Sequence, residues 1–151
     1  MDQTVLVYIE KNHSYLLLYR NKKENDLNEG KYLGIGGHIE EGETPDMALI
    51  REVKEETGLT LNSFRLRGKL LFINDDYEEI MYLYTSSDFS GELIECNEGD
   101  LSFIDFDKIM DLPMWEGDRE FLPYLMNDSL DYFEMTLFYK NKDLVKVTRT
   151  K

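Results

Sequence analysis

The chain opens with two runs rich in β-branched, leucine and tyrosine side chains, Thr4 to Ile9 and Ser14 to Arg20, separated by the polar Glu10 to His13. Such runs around a short polar break predict two strands joined as a hairpin. Asn21 to Lys31 is polar, contains Asn28 and Gly30, and predicts an exposed loop ahead of a Gly-rich turn at Gly34 to Gly37. Pro45 to Thr57 reads as a helix. Thr44 is a good N-cap, Pro45 in the first turn forfeits no hydrogen bond, and Gly58 can end the helix in the left-handed conformation. Met47, Ala48, Ile50 and Val53 supply its apolar positions. Further on, Ser63 to Asn74 and Glu79 to Ser86 are β-type runs around the acidic turn Asp75 to Glu78, and Leu101 to Phe106 is a shorter one. Asp118 to Met126 predicts a second helix despite Pro123, and a last hairpin follows, Leu130 to Tyr139 and Leu144 to Thr148 around Lys140 to Asp143. Strands predominate and two helices interrupt them, which predicts an α+β fold: a mixed sheet with helices packed on its faces.

Composition changes this picture little. At 151 residues, with 42% hydrophobic and 13% aromatic content, the chain suits one folded domain spanning 1–151, and no repeat or Pro/Ser-rich linker divides it. Cys96 is its only cysteine, so no intrachain disulfide forms, in keeping with a reducing cytoplasm. The N-terminal apolar run, broken by Glu10 and Lys11, is too short for a membrane span or a signal h-region. A net charge of -14 repels long polyanions such as DNA or RNA, while a small phosphorylated ligand carried in with a divalent cation remains compatible with it.

The charge becomes chemistry at one place. Glu52, Glu55 and Glu56 stand at i, i+3 and i+4 on the first helix, so their carboxylates share a face and repel one another. A hard cation such as Mg2+ resolves that conflict, because it takes oxygen ligands and binds phosphates at the same time.

Gly37, five residues, Glu43, seven residues, then Arg51-Glu52-Val53-Lys54-Glu55-Glu56-Thr57-Gly58-Leu59 fills every fixed position of the Nudix box. The chain therefore resembles the Nudix hydrolases. That resemblance implies a mixed sheet sandwiched between helices (α/β/α) and hydrolysis of a nucleoside diphosphate linked to another group, by water attack on phosphorus. It implies Mg2+, with Mn2+ as a substitute, held by Glu52, Glu55, Glu56 and the Gly37 carbonyl, one carboxylate orienting or deprotonating the water. Glu43 and Arg51 resemble the family's structural ion pair.

Beyond the box, the chain is similar to the MutT-like branch that hydrolyses oxidised purine nucleotides such as 8-oxo-dGTP. Glu98 falls where that branch carries a further acidic residue near the metal. Trp115 and Asp118 fall on its base-recognition loop, for stacking on a purine and reading its Watson–Crick edge; Phe72, Met81 and Tyr32 fall on positions lining the same pocket. Leu33, four residues before Gly37, stands where vertebrate-type members place an asparagine, and Gly117 replaces one of two neighbouring aspartates. The same chemistry serves ordinary NTPs, ADP-ribose or nucleotide sugars; a nucleotide-sensing module without hydrolysis would be expected to lack box carboxylates that this chain keeps. Tyr132, Phe133, Phe138 and Tyr139 on the last hairpin fit either a homodimer surface or the far wall of the pocket.

Overall fold

The computed structural model describes residues 1–151. Its elements are β1 (Asp2–Glu10), β2 (Ser14–Arg20), β3 (Tyr32–Leu33), β4 (Ile35–His38), α1 (Pro45–Thr57), β5 (Thr60–Asn74), β6 (Tyr77–Ser90) and β7 (Gly99–Asp105). The one-turn α2 (Phe106–Ile109), α3 (Asp118–Met126), β8 (Phe133–Lys140) and β9 (Asp143–Arg149) complete the chain. The strands form one nine-stranded mixed sheet in the order β3-β2-β1-β6-β5-β8-β9, with β4 pairing β1 and β7 pairing β2. Two of its ladders, β1 with β6 and β5 with β8, are parallel.

Side-chain alternation along the strands divides the core. Val5, Val7 and Ile9 of β1 and Leu16 and Leu18 of β2 point to the face covered by Ala48, Leu49 and Val53 of α1. Tyr8, Tyr15 and Leu17, from the same strands, point to the opposite face, where Phe121, Leu122 and Leu125 of α3 and Ile109 of α2 cover them. Residues two apart on a strand share a face, so each strand feeds both layers of an α/β/α sandwich.

Helix α1 has the predicted bounds and caps. Thr44 accepts a hydrogen bond from the Met47 N–H, and Gly58 adopts φ 82° at the C-terminus. Its buried side is Ala48, Leu49, Val53 and Thr57, which corrects the expected apolar positions: Met47 and Ile50 are 53% and 43% exposed. A single stripe at 3.6-residue spacing faces the sheet, and from the unbroken apolar run 47–50 the sheet takes only two members.

Other differences follow from tertiary pairing. The expected Gly-rich turn is strand β4, antiparallel to β1 with Gly36 opposite Leu6 and Gly37 opposite Val5. A Cβ on Gly36 would lie 1.8 Å from the Val5 carbonyl oxygen, so this close ladder needs glycine there. β1 and β2 do turn back as a hairpin, yet pair only at Ile9–Leu16 and Glu10–Tyr15, whereas β2 pairs with β7 along its whole length. β6 starts at Tyr77, so the acidic turn is shorter than expected, and β8 starts at Phe133 rather than Leu130. Phe106 leaves the strand assigned to it and opens α2, capped by the Asp105 side chain on the Asp107 N–H. That makes three helices instead of two. Phe133 and Tyr139 are buried in the layer under α3, on the side of the pocket wall.

Candidate active site

The geometry starts from Arg51. Its Nε and Nη2 donate to Glu43 Oε2 and Oε1 at 2.7 and 2.9 Å, a two-pronged contact between the 39–44 loop and α1. The remaining donors reach Glu52 Oε1 at 2.9 Å, Glu55 Oε2 at 3.2 Å and the His38 carbonyl at 3.1 Å. One planar guanidinium thus fixes the loop, the end of β4 and two helix carboxylates. The hydrogen bonds from Arg51 and from the Glu40 N–H hold the Glu43 carboxyl down to about 2.

Glu52 and Glu56 turn toward β4, whereas Glu55 points outward with its side chain 61% exposed. Glu56 Oε2 accepts the Gly36 N–H at 3.2 Å. A Cβ on Gly37 would sit 2.5 to 2.6 Å from the Glu52 carboxylate atoms, so the missing side chain is what lets that carboxylate lie against the strand. Glu98 arrives from another part of the chain. It precedes β7, whose Gly99 pairs with Arg20 of β2, and its carboxylate lies 3.6 Å from Arg20 Nη1. Glu98 also meets Glu56: burial, the hydrogen-bond contact with Glu98, and the negative charges of Glu98 and Glu52 push the Glu56 carboxyl well above the usual carboxylate range. Burial pushes Glu52 up too, opposed by Arg51 and reinforced by Glu55 and Glu98. Carboxylates crowded this way hold a proton or a cation, and an all-oxygen donor set beside a bare glycine backbone fits a hard divalent cation.

A second group surrounds Trp115. Its ring meets Phe72 and Tyr139 edge-on at 5.6 and 5.3 Å between centroids, and Tyr32, Leu33 and Met81 pack against the same cluster. The predicted pocket residues are therefore brought together. The indole is 6% exposed, its N–H donates to Asn28 Oδ1 at 2.7 Å, and the Lys31 ammonium lies 4.9 Å from the ring centroid. Leu33 offers no polar atom to a base.

Asp118, at the first turn of α3, is 7% exposed, and no protein group donates to its carboxylate. Burial pushes its carboxyl up to about 7, with Arg119 opposing. The Tyr8 ring packs against Gly34, and burial together with the charge of Asp118 pushes its hydroxyl up. The Tyr139 hydroxyl accepts the Gly117 N–H at 2.6 Å and so fixes the turn into α3. Sequence reasoning missed Asn28, Lys31 and Tyr8 as neighbours of the pocket; nothing local distinguishes a loop asparagine or a strand tyrosine, and their partners lie up to 87 residues away. A separate cleft of about 480 Å³, lined by Tyr15, Arg65, Arg67, Ser86 and Asp128 among others, contains none of the predicted residues.

Comparison with known proteins gives the family and the fold. The chain is 31% identical over 116 residues to an oxidized purine nucleoside triphosphate hydrolase of Danio rerio, covering 74% of each chain. It is 35% identical over 65 residues to an NAD-capped RNA hydrolase of Haemophilus influenzae, covering 43% of this chain and 24% of that protein. The fold superposes on the crystal structure of a MutT protein from Bacillus halodurans with a TM-score of 0.89 at 23% identity, covering 99% of this chain and 98% of that one. The NUDIX domain model matches residues 2–125, and the chain belongs to that family of hydrolases, which act on the pyrophosphate bonds of nucleotides.

Proposed function

We propose that the protein is a Mg2+-dependent pyrophosphohydrolase of purine nucleoside triphosphates, oxidised purines such as 8-oxo-dGTP included, releasing the monophosphate and diphosphate, with residues 1–151 acting as one Nudix domain. The observation that carries the reading is the presence in one fold of two groups: the carboxylates of Glu52, Glu56 and Glu98 around Gly36 and Gly37, and an aromatic pocket around Trp115 with the buried Asp118 three residues on. The name of the Danio rerio relative supports the purine triphosphate assignment.

In this reading Gly37, Glu52, Glu55, Glu56 and Glu98 hold the cation, Mg2+ or Mn2+ in its place. When bound, it neutralises the diphosphate charge and makes water more acidic. The chain's own residues do the rest. Arg51 holds Glu52 in place and keeps Glu43 on the loop. A carboxylate of the cluster takes the proton of the attacking water, which is general-base catalysis worth roughly 10²–10⁴-fold. Trp115, Phe72, Met81, Tyr32 and Leu33 enclose the base and exclude solvent from it.

Asp118 reads the edge of that base, and its protonation decides how. Below about pH 7 the carboxyl carries a proton in the folded protein, so it can donate to one ring atom and accept from another, as an adenine-type edge requires. Above that pH it only accepts, which matches the two N–H groups of a guanine-type edge. In wild-type protein, kcat/KM for guanine-type substrates is expected to rise through pH 7 relative to adenine-type substrates. Asp118→Asn, which donates and accepts at every pH, should remove the inflection and lower guanine-type turnover by about tenfold or more. An unchanged inflection in the variant would show that another group titrates.

The reading itself is tested by pyrophosphate and phosphate release, with Mg2+ and with EDTA, across dNTPs, 8-oxo-dGTP, 2-oxo-dATP, ADP-ribose and UDP-glucose. Mg2+-dependent pyrophosphate release from purine triphosphates is expected. Turnover confined to ADP-ribose or UDP-glucose would refute the triphosphate assignment, and binding without turnover would refute hydrolysis.

A further inference from the structure

We propose that Asn28 is a positioning residue for nucleotide recognition: it fixes the Trp115 indole from a strap, Asn21 to Lys31, whose other anchor is Arg20 beside the metal-site carboxylate Glu98. The inference rests on the assignment of Trp115 and Asp118 to the base pocket.

An indole has a single polar group, its N–H donor, and here that donor is bonded to Asn28 Oδ1 at 2.7 Å. Phe72 and Tyr139 meet the ring edge-on and define its surroundings, yet they supply contacts without a directional bond. The hydrogen bond to Asn28 is therefore what sets how the ring is rotated within its aromatic enclosure.

Asn28 is itself held. Its N–H donates to Asp26 Oδ1 at 3.2 Å, and its carbonyl accepts the Lys31 N–H at 3.0 Å. Asp26 in turn lies 2.8 Å from Arg20 Nε, with the two side chains only 7% and 13% exposed. Arg20 Nη1 then stands 3.6 Å from Glu98 Oε2, while the Arg20 carbonyl accepts the Gly30 N–H and the Arg20 N–H donates to the Lys31 carbonyl at the far end of the strap. The contacts run from Trp115 through Asn28, Asp26 and Arg20 to Glu98, one line from the base pocket to the carboxylate cluster.

A loop that only connected β2 to β3 would gain little from an ion pair buried at its root, since desolvating both charges offsets much of their attraction. The arrangement makes sense for a reaction that needs the base and the diphosphate held in register. Misplacement by about 1 Å can cost a factor of 10² in such a reaction. Lys31, from the end of the same strap, lies over the indole, so the strap carries both the group that orients the ring and a cation over its face.

Trp115 is the only tryptophan, so its emission reports this bond without interference. Asn28→Ala is expected to shift the emission maximum and lower the anisotropy of Trp115 in the absence of nucleotide. In Mg2+ it should raise KM for purine triphosphates about tenfold, the loss of one well-made hydrogen bond, and by more than it lowers kcat. Trp115→Phe removes the donor, so adding Asn28→Ala to it should change KM no further, a coupling close to the full single-variant effect. Thermal melts of the three variants establish that each is folded.

Wild-type emission and KM in Asn28→Ala would overturn the proposal, as would a full Asn28→Ala effect on KM persisting beside Trp115→Phe. These results differ from a failure of the functional reading. If wild-type protein turned over none of the purine nucleotides, the recognition role would fall with that reading, whereas the emission of Asn28→Ala would still decide whether Asn28 orients the indole.

Discussion

Replacing Glu56 by glutamine is expected to lower kcat in saturating Mg2+ by about 10³-fold, the range for losing a general base or a ligand of a catalytic cation, while making the metal-free protein more stable. Both effects come from one geometry. Glu56 is half-enclosed between Gly36, Glu52 and Glu98, where burial and its acidic neighbours favour the neutral form. Glutamine is neutral at all pH values and keeps an oxygen that can accept the Gly36 N–H, so the fold loses no hydrogen bond.

The sign of the stability effect follows from linkage. A carboxyl whose pKa is raised in the folded state binds its proton more tightly there than in the unfolded chain. Its favourable contribution is present below the unfolded value and is lost as pH rises through the folded one. At pH 7 the unfolded state gains by ionising Glu56 and the folded state does not, and glutamine removes that difference. Thermal melts in EDTA at pH 7 should therefore show a higher Tm for Glu56→Gln, and Mg2+ should raise the Tm of wild type more than that of the variant. A protein that gains stability and loses turnover at the same position carries a functional cost there. Turnover within twofold of wild type would remove Glu56 from the site.

Gly36→Ala and Gly37→Ala are expected to fail in opposite ways although they are neighbours on β4. At Gly37 the added methyl meets the Glu52 carboxylate at 2.5 to 2.6 Å, the free end of a side chain that can move. The fold should persist, with stability changed by no more than about 1 kcal/mol. Turnover should fall about 10²-fold, because the displaced carboxylate no longer holds its position against the strand. At Gly36 the methyl meets the Val5 carbonyl at 1.8 Å and the Leu6 Cα at 3.0 Å. This is β1 backbone, which cannot yield without opening the β1–β4 ladder, and a loss of about 3 kcal/mol is expected, at the upper end of overpacking costs. Urea denaturation read beside kcat separates the two. Gly37→Ala with wild-type activity would reduce Gly37 to a strand glycine without a part in the site.

Arg51 explains why the box is legible as a unit. Its five hydrogen bonds tie Glu43, His38, Glu52 and Glu55 together. Four of these run to residues no more than eight positions away, and the fifth, to the His38 carbonyl, spans 13. Arg51→Lys is expected to lower cation affinity by about 10-fold or more, measured by calorimetry, since an ammonium cannot reproduce the two-pronged contact with Glu43. Affinity equal to wild type would mean that the ion pair is dispensable to the carboxylates.

What the sequence determined by itself is what depends on short spacing along the chain. The caps and bounds of α1, its three glutamates on one turn and the start of α3 at Asp118 follow from neighbours within one or two helical turns, where rise and period fix relative positions, while the Glu43–Arg51 pair was legible through the resemblance of the box. What only the tertiary structure decided depends on which strands meet. Whether Met47 and Ile50 or Leu49 entered the core was settled by the contact face of the sheet, and the Gly-rich segment became a strand because β1 offered it an edge. Glu98 reached Glu56 because β7 pairs with β2, and Asn28 met Trp115 across 87 positions because the strap folds back over the same sheet. Such contacts carry no local signature: each is made of ordinary polar residues, and its energy exists only once the sheet order has brought distant segments to hydrogen-bonding distance.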